Sequence, residues 1–246
     1  MEWHDEGLVL GVRRHGETSA LVDVLTREHG RHPGLVRAGR SRRLRPVLQA
    51  GNQVALTWRA RLEDHLGTFT IEPVSMRVAA LIDDPGKLAA LSSLTALCRL
   101  LPEREPHARL HEAATIVLAA LEEGDHWPAL MVRWEMGLLD ELGFGLDLSR
   151  CASTGAQDDL SYVSPRSARA VSAQAGKAWY DRLLRLPGFL LGRQAGTTEP
   201  ADIADGFALT GHFLMRHILE PRGLAEPEPR KWMVASFLNR AGDRTY

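Results

Sequence analysis

The chain has 246 residues, 44% hydrophobic and 25% charged, which excludes a disordered or low-complexity protein and allows one large domain or two small ones. Two cysteines, Cys98 and Cys151, exclude a disulfide framework and a four-thiolate metal site, and the absence of a long apolar run makes a cytoplasmic address the expectation. The formal net charge of −1 conceals an asymmetry, because nine arginines stand between Arg27 and Arg61 against one acid, Glu28. Lysine occurs only at Lys87, Lys177 and Lys231. The clustered charge is therefore all guanidinium, whose planar fork suits phosphate oxygens, and the stretch is a candidate polyanion surface.

From Gly7 to Pro73 the pattern has the period of strands. Leu8, Leu10 and Val12 alternate in a first run; Val22 and Val24 oppose Leu21, Asp23 and Leu25 in a second; His32 to Val36 forms a third. Gln53 to Arg61 is a fourth, with Val54, Leu56 and Trp58 on one face and Thr57, Arg59 and Arg61 on the other, and Leu66 to Pro73 a fifth. Glycine-containing turns at Gly16, Gly30, Gly39 and Gly51 separate the first four runs. Five short strands in about seventy residues suit a small OB-type barrel.

Beyond residue 80 the period becomes helical. Asp84 reads as an N-cap with Pro85 at the first helical position, followed by a stripe of Leu88, Leu91, Leu94, Leu97 and Leu101. A second helix runs from His107 to Gly124 and a third from Pro128 to Gly143. Pro200 opens a long helix, and Trp232 to Leu238 is a short final one. The polar, irregular text at about 144–176 reads as an insertion. The expected fold is α+β: an OB barrel in 1–80, then a helical domain in 81–246 carrying that insertion.

Enzyme signatures are missing. Pro85-Gly86-Lys87 lacks the remainder of a phosphate-binding loop, His111-Glu112 is not followed by the second histidine of a zinc protease, and no nucleophile elbow occurs. His212 and His217 are spaced by five, not the four of a helical metal pair. Trp58, alternating with Val54 and Leu56, reads as a core residue despite its arginine neighbours. Cys98 reads as a small buried hydrophobe.

The ordered residues Gly7-Leu-Val-Leu10, Gly16-Glu17, Leu25-Thr-Arg-Glu-His-Gly-Arg31, Val36-Arg-Ala-Gly-Arg40 and Leu48-Gln49 resemble the N-terminal domain of the RecO family of bacterial recombinational repair proteins. Beyond about residue 75 the likeness rests on the helix pattern and on the stretch from Gly143-Phe-Gly145 to Tyr162. The resemblance implies an OB-fold joined to a helical domain, non-catalytic binding of single- and double-stranded DNA, annealing, and help in loading RecA, together with RecR, onto DNA coated by single-strand-binding protein. It implies a nucleoid-associated place in a bacterial cytoplasm. Many family members also carry a CxxC…CxxC zinc set in the insertion. Here the pairs read Cys151-Ala-Ser-Thr154 and Ser172-Ala-Gln-Ala175, so the metal is not expected.

Two sets of residues follow as candidates. Arg37, Arg40, Arg42, Arg43 and Arg45, on a mobile hairpin after the third strand, with Arg59 and Arg61 extending the groove, would track a phosphate backbone. Phe213, Arg216, Arg222, Arg230, Lys231 and Trp232 combine cations and apolar groups where the family receives the acidic, aromatic-ended tail of single-strand-binding protein. An OB-containing RNA- or tRNA-binding adaptor is the competing reading, and an enzyme of unrecognised site a third.

Overall fold

Five antiparallel and parallel strands close on themselves: β1 (Glu2–His15), β2 (Ser19–Thr26), β3 (Gly30–Val36), β4 (Gln53–Arg59) and β5 (Thr68–Ser75), in the order β1-β2-β3-β5-β4. The computed structural model describes residues 1–192 and 198–243. Contacts divide the chain into two compact units, one of Met1–Gly124 with Pro227–Met233 and one of Asp125–Glu226 with Val234–Tyr246.

In the first unit β1 serves both sides of the barrel. Its start, Glu2 to Leu8, pairs with β4, and Gly7 to His15 pairs with β2. The transition is a register shift between Val9 and Gly11, where Val9 exchanges backbone hydrogen bonds with Gly51 and Asn52 instead. This bulge corrects the expected alternation: Leu8, Val9 and Leu10 are all buried, and Val12 turns outward, 40% exposed. β3 and β5 close the ring through a short parallel pairing, Leu35 with Thr68 and Val36 with Phe69. Val9, Val22, Val24, Val54, Leu56, Trp58 and Phe69 fill the interior. Trp58 is a core residue, its Nε1–H donating to the Leu66 carbonyl at 3.0 Å. A Cβ at Gly67 would lie 2.2 Å from that indole, and its φ of +65° suits only glycine comfortably.

One helical turn, α1 (Arg77–Ala80), leads to α2 (Pro85–Cys98) and α3 (Ala108–Glu123). The Asp84 carboxylate caps α2, accepting from the Gly86 and Lys87 N–H groups at 2.9 and 3.1 Å, with Pro85 in the first turn. Ala90, Leu91, Leu94, Leu97 and Cys98 are completely buried, and Leu91 packs against Gly51 at the barrel. Arg31 stitches β2 and β3 to the chain after α2: its guanidinium meets Asp23 at 2.9 Å and donates to the carbonyls of Arg99 and Leu101. This member of the arginine cluster is structural.

In the second unit α4 (Trp127–Glu141) packs on α6 (Pro200–Phe213), where the buried Glu135 carboxylate accepts a short hydrogen bond from the Thr210 hydroxyl. A small sheet of β6 (Leu160–Val163), β7 (Ala170–Ser172) and β8 (Leu184–Arg185), in the order β7-β6-β8, and a turn of helix α5 (Ala173–Gly176) order the expected insertion. α6 continues as a π-helical turn, Leu214–Leu219. The last helix, α7 (Glu228–Asp243), starts four residues before the expected Trp232, because Pro229 occupies its first turn, where proline's missing N–H costs nothing. Among the described residues no helix is long and apolar enough to cross a membrane.

Candidate nucleic-acid interface

The segment 37–52 between β3 and β4 is not the expected hairpin. Leu44, Val47 and Leu48, at helical spacing, are buried in the barrel core. Ser41 starts a helical turn, with its carbonyl accepting from Arg45 N–H at 3.0 Å, and Leu44 accepts from Leu48 at 2.9 Å. The fully buried Asn52 side chain fixes the far end: its amide donates to the carbonyls of Pro46 and Val47 at 2.8 and 3.2 Å, and its Oδ1 accepts from Val78 N–H at 3.2 Å. Apolar residues hidden among arginines thus anchor the segment to the barrel. The arginine side chains are left outside.

Arg37, Arg40, Arg42, Arg43 and Arg45 are all exposed, and none of them has an ion-pair partner among the described residues. Arg40 is nevertheless positioned, because its Nη1 donates to the carbonyls of Gly16 and Glu17 in the β1–β2 turn and its backbone N–H to that of Thr18. The close approach requires Gly39, where a Cβ would lie 2.7 Å from the Ala20 Cβ. Arg40 and Arg45 share the rim of a concavity of about 500 Å³ with Arg13 and Arg14 of β1, over a floor that includes Val12, Ala20 and Leu48. Glu17 is the one carboxylate lining it. Four arginines thus line one open, partly apolar hollow, and guanidinium groups can hold phosphate oxygens. Arg13 and Arg14 were missed in the sequence because they precede the Arg27–Arg61 cluster; their signal was a basic pair ending the first strand, one turn away from Gly39.

Neither Arg59 nor Arg61, which is exposed, lines this concavity. Arg59 pairs with Glu2 at 2.8 Å, at the start of β1, whereas Arg13 and Arg14 lie near its end. The hydrogen bond from Arg59 holds the Glu2 carboxyl below its ordinary range.

The C-terminal set is also divided. Phe213 is fully buried, with its ring parallel to that of His217 at 5.8 Å, and Arg230 is buried too. Arg216 and Arg222 are exposed in the second unit, whereas Lys231, paired with Glu228 at 2.7 Å, and Trp232 are exposed residues of the first.

At the positions of the family's zinc set, Cys151 Sγ accepts from Ser172 N–H at 3.3 Å, and Ser172 Oγ accepts from Ala175 N–H at 3.4 Å. Burial raises the Cys151 thiol, but hydrogen bonds from Thr154 and Ser172 outweigh it and bring it down to about 6. One thiol, two hydroxyls and a methyl group are not a closed tetrahedral donor set, so these residues do not fit zinc. Among the described residues no group of three or more His, Cys, Asp or Glu side chains is placed to hold a metal.

Comparison with known proteins accounts for both parts of the chain. The family model described as "Recombination protein O N terminal" matches residues 1–77, and "Recombination protein O C terminal" matches 82–224. DNA repair protein RecO of Methylobacterium nodulans is 54% identical over 246 residues, covering 98% of this chain and all of that protein. The RecO proteins of Chelativorans sp. and Brucella abortus are 51% and 49% identical, each covering at least 97% of this chain and 96% of theirs. With a barrel and helices in the order the family requires and matches along nearly its whole length, the chain belongs to the RecO family of DNA repair proteins.

Proposed function

We propose that this protein binds single- and double-stranded DNA through the arginine-rimmed cap of its barrel, with residues 1–80 as the nucleic-acid-binding domain. The observation carrying this reading is the set Arg13, Arg14, Arg40 and Arg45 around one concavity, with Arg37, Arg42 and Arg43 exposed on the same anchored segment. Contacts of this kind hold the backbone and leave base edges open, which is what annealing of complementary strands requires. The role is that of a mediator without a catalytic centre, working in the bacterial cytoplasm at the nucleoid. It anneals strands and, with RecR, helps RecA onto DNA coated by single-strand-binding protein, whose acidic tail would meet cations of the C-terminal region such as Arg216 and Arg222. The names of the relatives support the repair role.

The test is the salt dependence of DNA affinity. Four to five phosphate contacts on a single strand give a slope of log affinity against log salt of about −3, and each contact removed makes it shallower by roughly 0.7. Arg40→Ala, Arg42→Ala and Arg43→Ala together, and separately Arg13→Ala with Arg14→Ala, should weaken binding equally for all base sequences, with annealing falling in parallel. A folded variant of either kind with unchanged affinity and slope would remove those residues from the interface.

A further inference from the structure

The small sheet of the second unit exposes an unusual set of side chains. Trp179 and Tyr180, adjacent in sequence, are 55% and 63% exposed, although large aromatic rings normally contribute to a core. They are not on a loose tip. The Trp179 N–H donates to the Gly176 carbonyl at 2.9 Å, and its own carbonyl accepts from Arg182 N–H at 2.8 Å, so successive turns fix the backbone. The Arg182 guanidinium lies over the Trp179 ring, 5.5 Å from its centroid, and Arg185 lies 5.4 Å from that of Tyr162. Lys177, Asp181, Arg182 and Arg185, close to these rings in sequence, are exposed, and Asp205 lies within electrostatic reach of Arg185.

We propose that Trp179 and Tyr180, with Arg182 at the Trp179 ring, form a stacking platform for unpaired bases of a nucleic-acid strand. An exposed ring face accepts any base by stacking, and the Arg182 guanidinium over the Trp179 ring brings a positive charge for the adjoining phosphate. An acidic peptide with an aromatic end needs a cleft that encloses its ring; rings more than half exposed offer a face instead. Paired bases present no free face, so the platform distinguishes single strands from duplex, which the phosphate contacts of the arginine cap do not. The inference rests on the reading of this chain as a DNA-binding protein and adds to it a site in the second unit.

The experiment measures affinity of the full chain for an oligo(dT) of about 30 nucleotides and for a duplex of equal length over a series of salt concentrations. Trp179→Ala with Tyr180→Ala should weaken single-strand binding by roughly ten-fold or more, with duplex affinity and the salt slope unchanged, and Trp179→Phe should retain most of the affinity. A folded double variant with unchanged single-strand affinity, or with equal losses on both substrates, overturns the platform while leaving the arginine cap standing. So does loss of an acidic peptide's binding with single-strand binding intact, which would make the surface a protein-docking site. A wild-type chain that binds no DNA overturns both readings. If the double variant fails to fold, fluorescence decides: oligo(dT) should quench the wild type more than Trp179→Phe, and equal quenching rejects the proposal.

Discussion

Segments 37–52 and 147–172 are both poor in long regular elements, but they are held by different means. The first is anchored by side chains: Leu44, Val47 and Leu48 enter the barrel core and the Asn52 amide spans to Pro46, Val47 and Val78. The second is tied by a run of backbone bonds, Asp147 to Ala168 and Ala170, Cys151 to Gly155 and Ala156, and Ala152 to Ala170. Side-chain anchoring ties every outward arginine to a small number of buried residues. Where backbone bonds hold a turn, the side chains at Thr154 and Ala175 need not be metal ligands, although Leu160, Val163 and Val171 of the same region are buried.

The most direct break of this contrast is Asn52→Ala. It leaves the buried Val47 carbonyl and the partly buried Pro46 carbonyl and Val78 N–H without their partner, so unfolding in urea should show a loss of about 2 kcal/mol. DNA affinity should fall as well, although Asn52 touches no arginine of the rim. Retained affinity in the destabilised variant would uncouple the cap from its anchor.

Buried polar groups without such partners should behave oppositely on titration. His32 is buried among Trp3, Trp58 and Phe69, neither ring nitrogen has a hydrogen-bond partner, and burial, aided by the charges of Arg104 and His29, lowers it from 6.5 to about 4. Below pH 6.5 the unfolded chain takes up a proton that the folded chain refuses. Stability is therefore complete above 6.5 and falls as the pH drops towards 4, by up to about 3 kcal/mol. Denaturation at several pH values should show this slope in the wild type and a shallower one in His32→Leu.

The smallest effects are expected in the second segment. Cys151→Ala removes one acceptor from the Ser172 N–H and should cost about 1 kcal/mol, because the surrounding backbone bonds remain. Metal analysis of purified protein should find no stoichiometric zinc, and about one zinc per chain would contradict the hydroxyl-rich donor set.

Much of this was legible in the sequence. The five strands follow from alternation, and the start of α2 from Asp84-Pro85, because these signals are local. The bulge at Val9 was not legible, since it answers to a hydrogen bond from the Gly51 N–H and one to the Asn52 carbonyl, more than forty residues away. The arginine cap was half legible: charge clustering marked 37–45, but the Leu44, Val47 and Leu48 spacing was hidden by Arg42 and Arg43 before it and Arg45 and Pro46 within it. Arg13 and Arg14 join the rim only because the β1–β2 turn folds back on Gly39. Phe213 and Arg230 looked available in the sequence, and tertiary packing buries them.

The double use of β1 bears on how the barrel forms. β1, β2 and β3 are consecutive strands joined by short turns, so their pairing is local and quick to nucleate. The seam between β1 and β4 instead joins Glu2 to Arg59 and Gly7 to Val54, across a loop that costs more entropy to close. The meander should therefore be structured in the folding transition state while the seam still gapes. Truncating Val22 should slow folding, whereas truncating Val54 should chiefly hasten unfolding, and stopped-flow kinetics on the two variants would read the order directly.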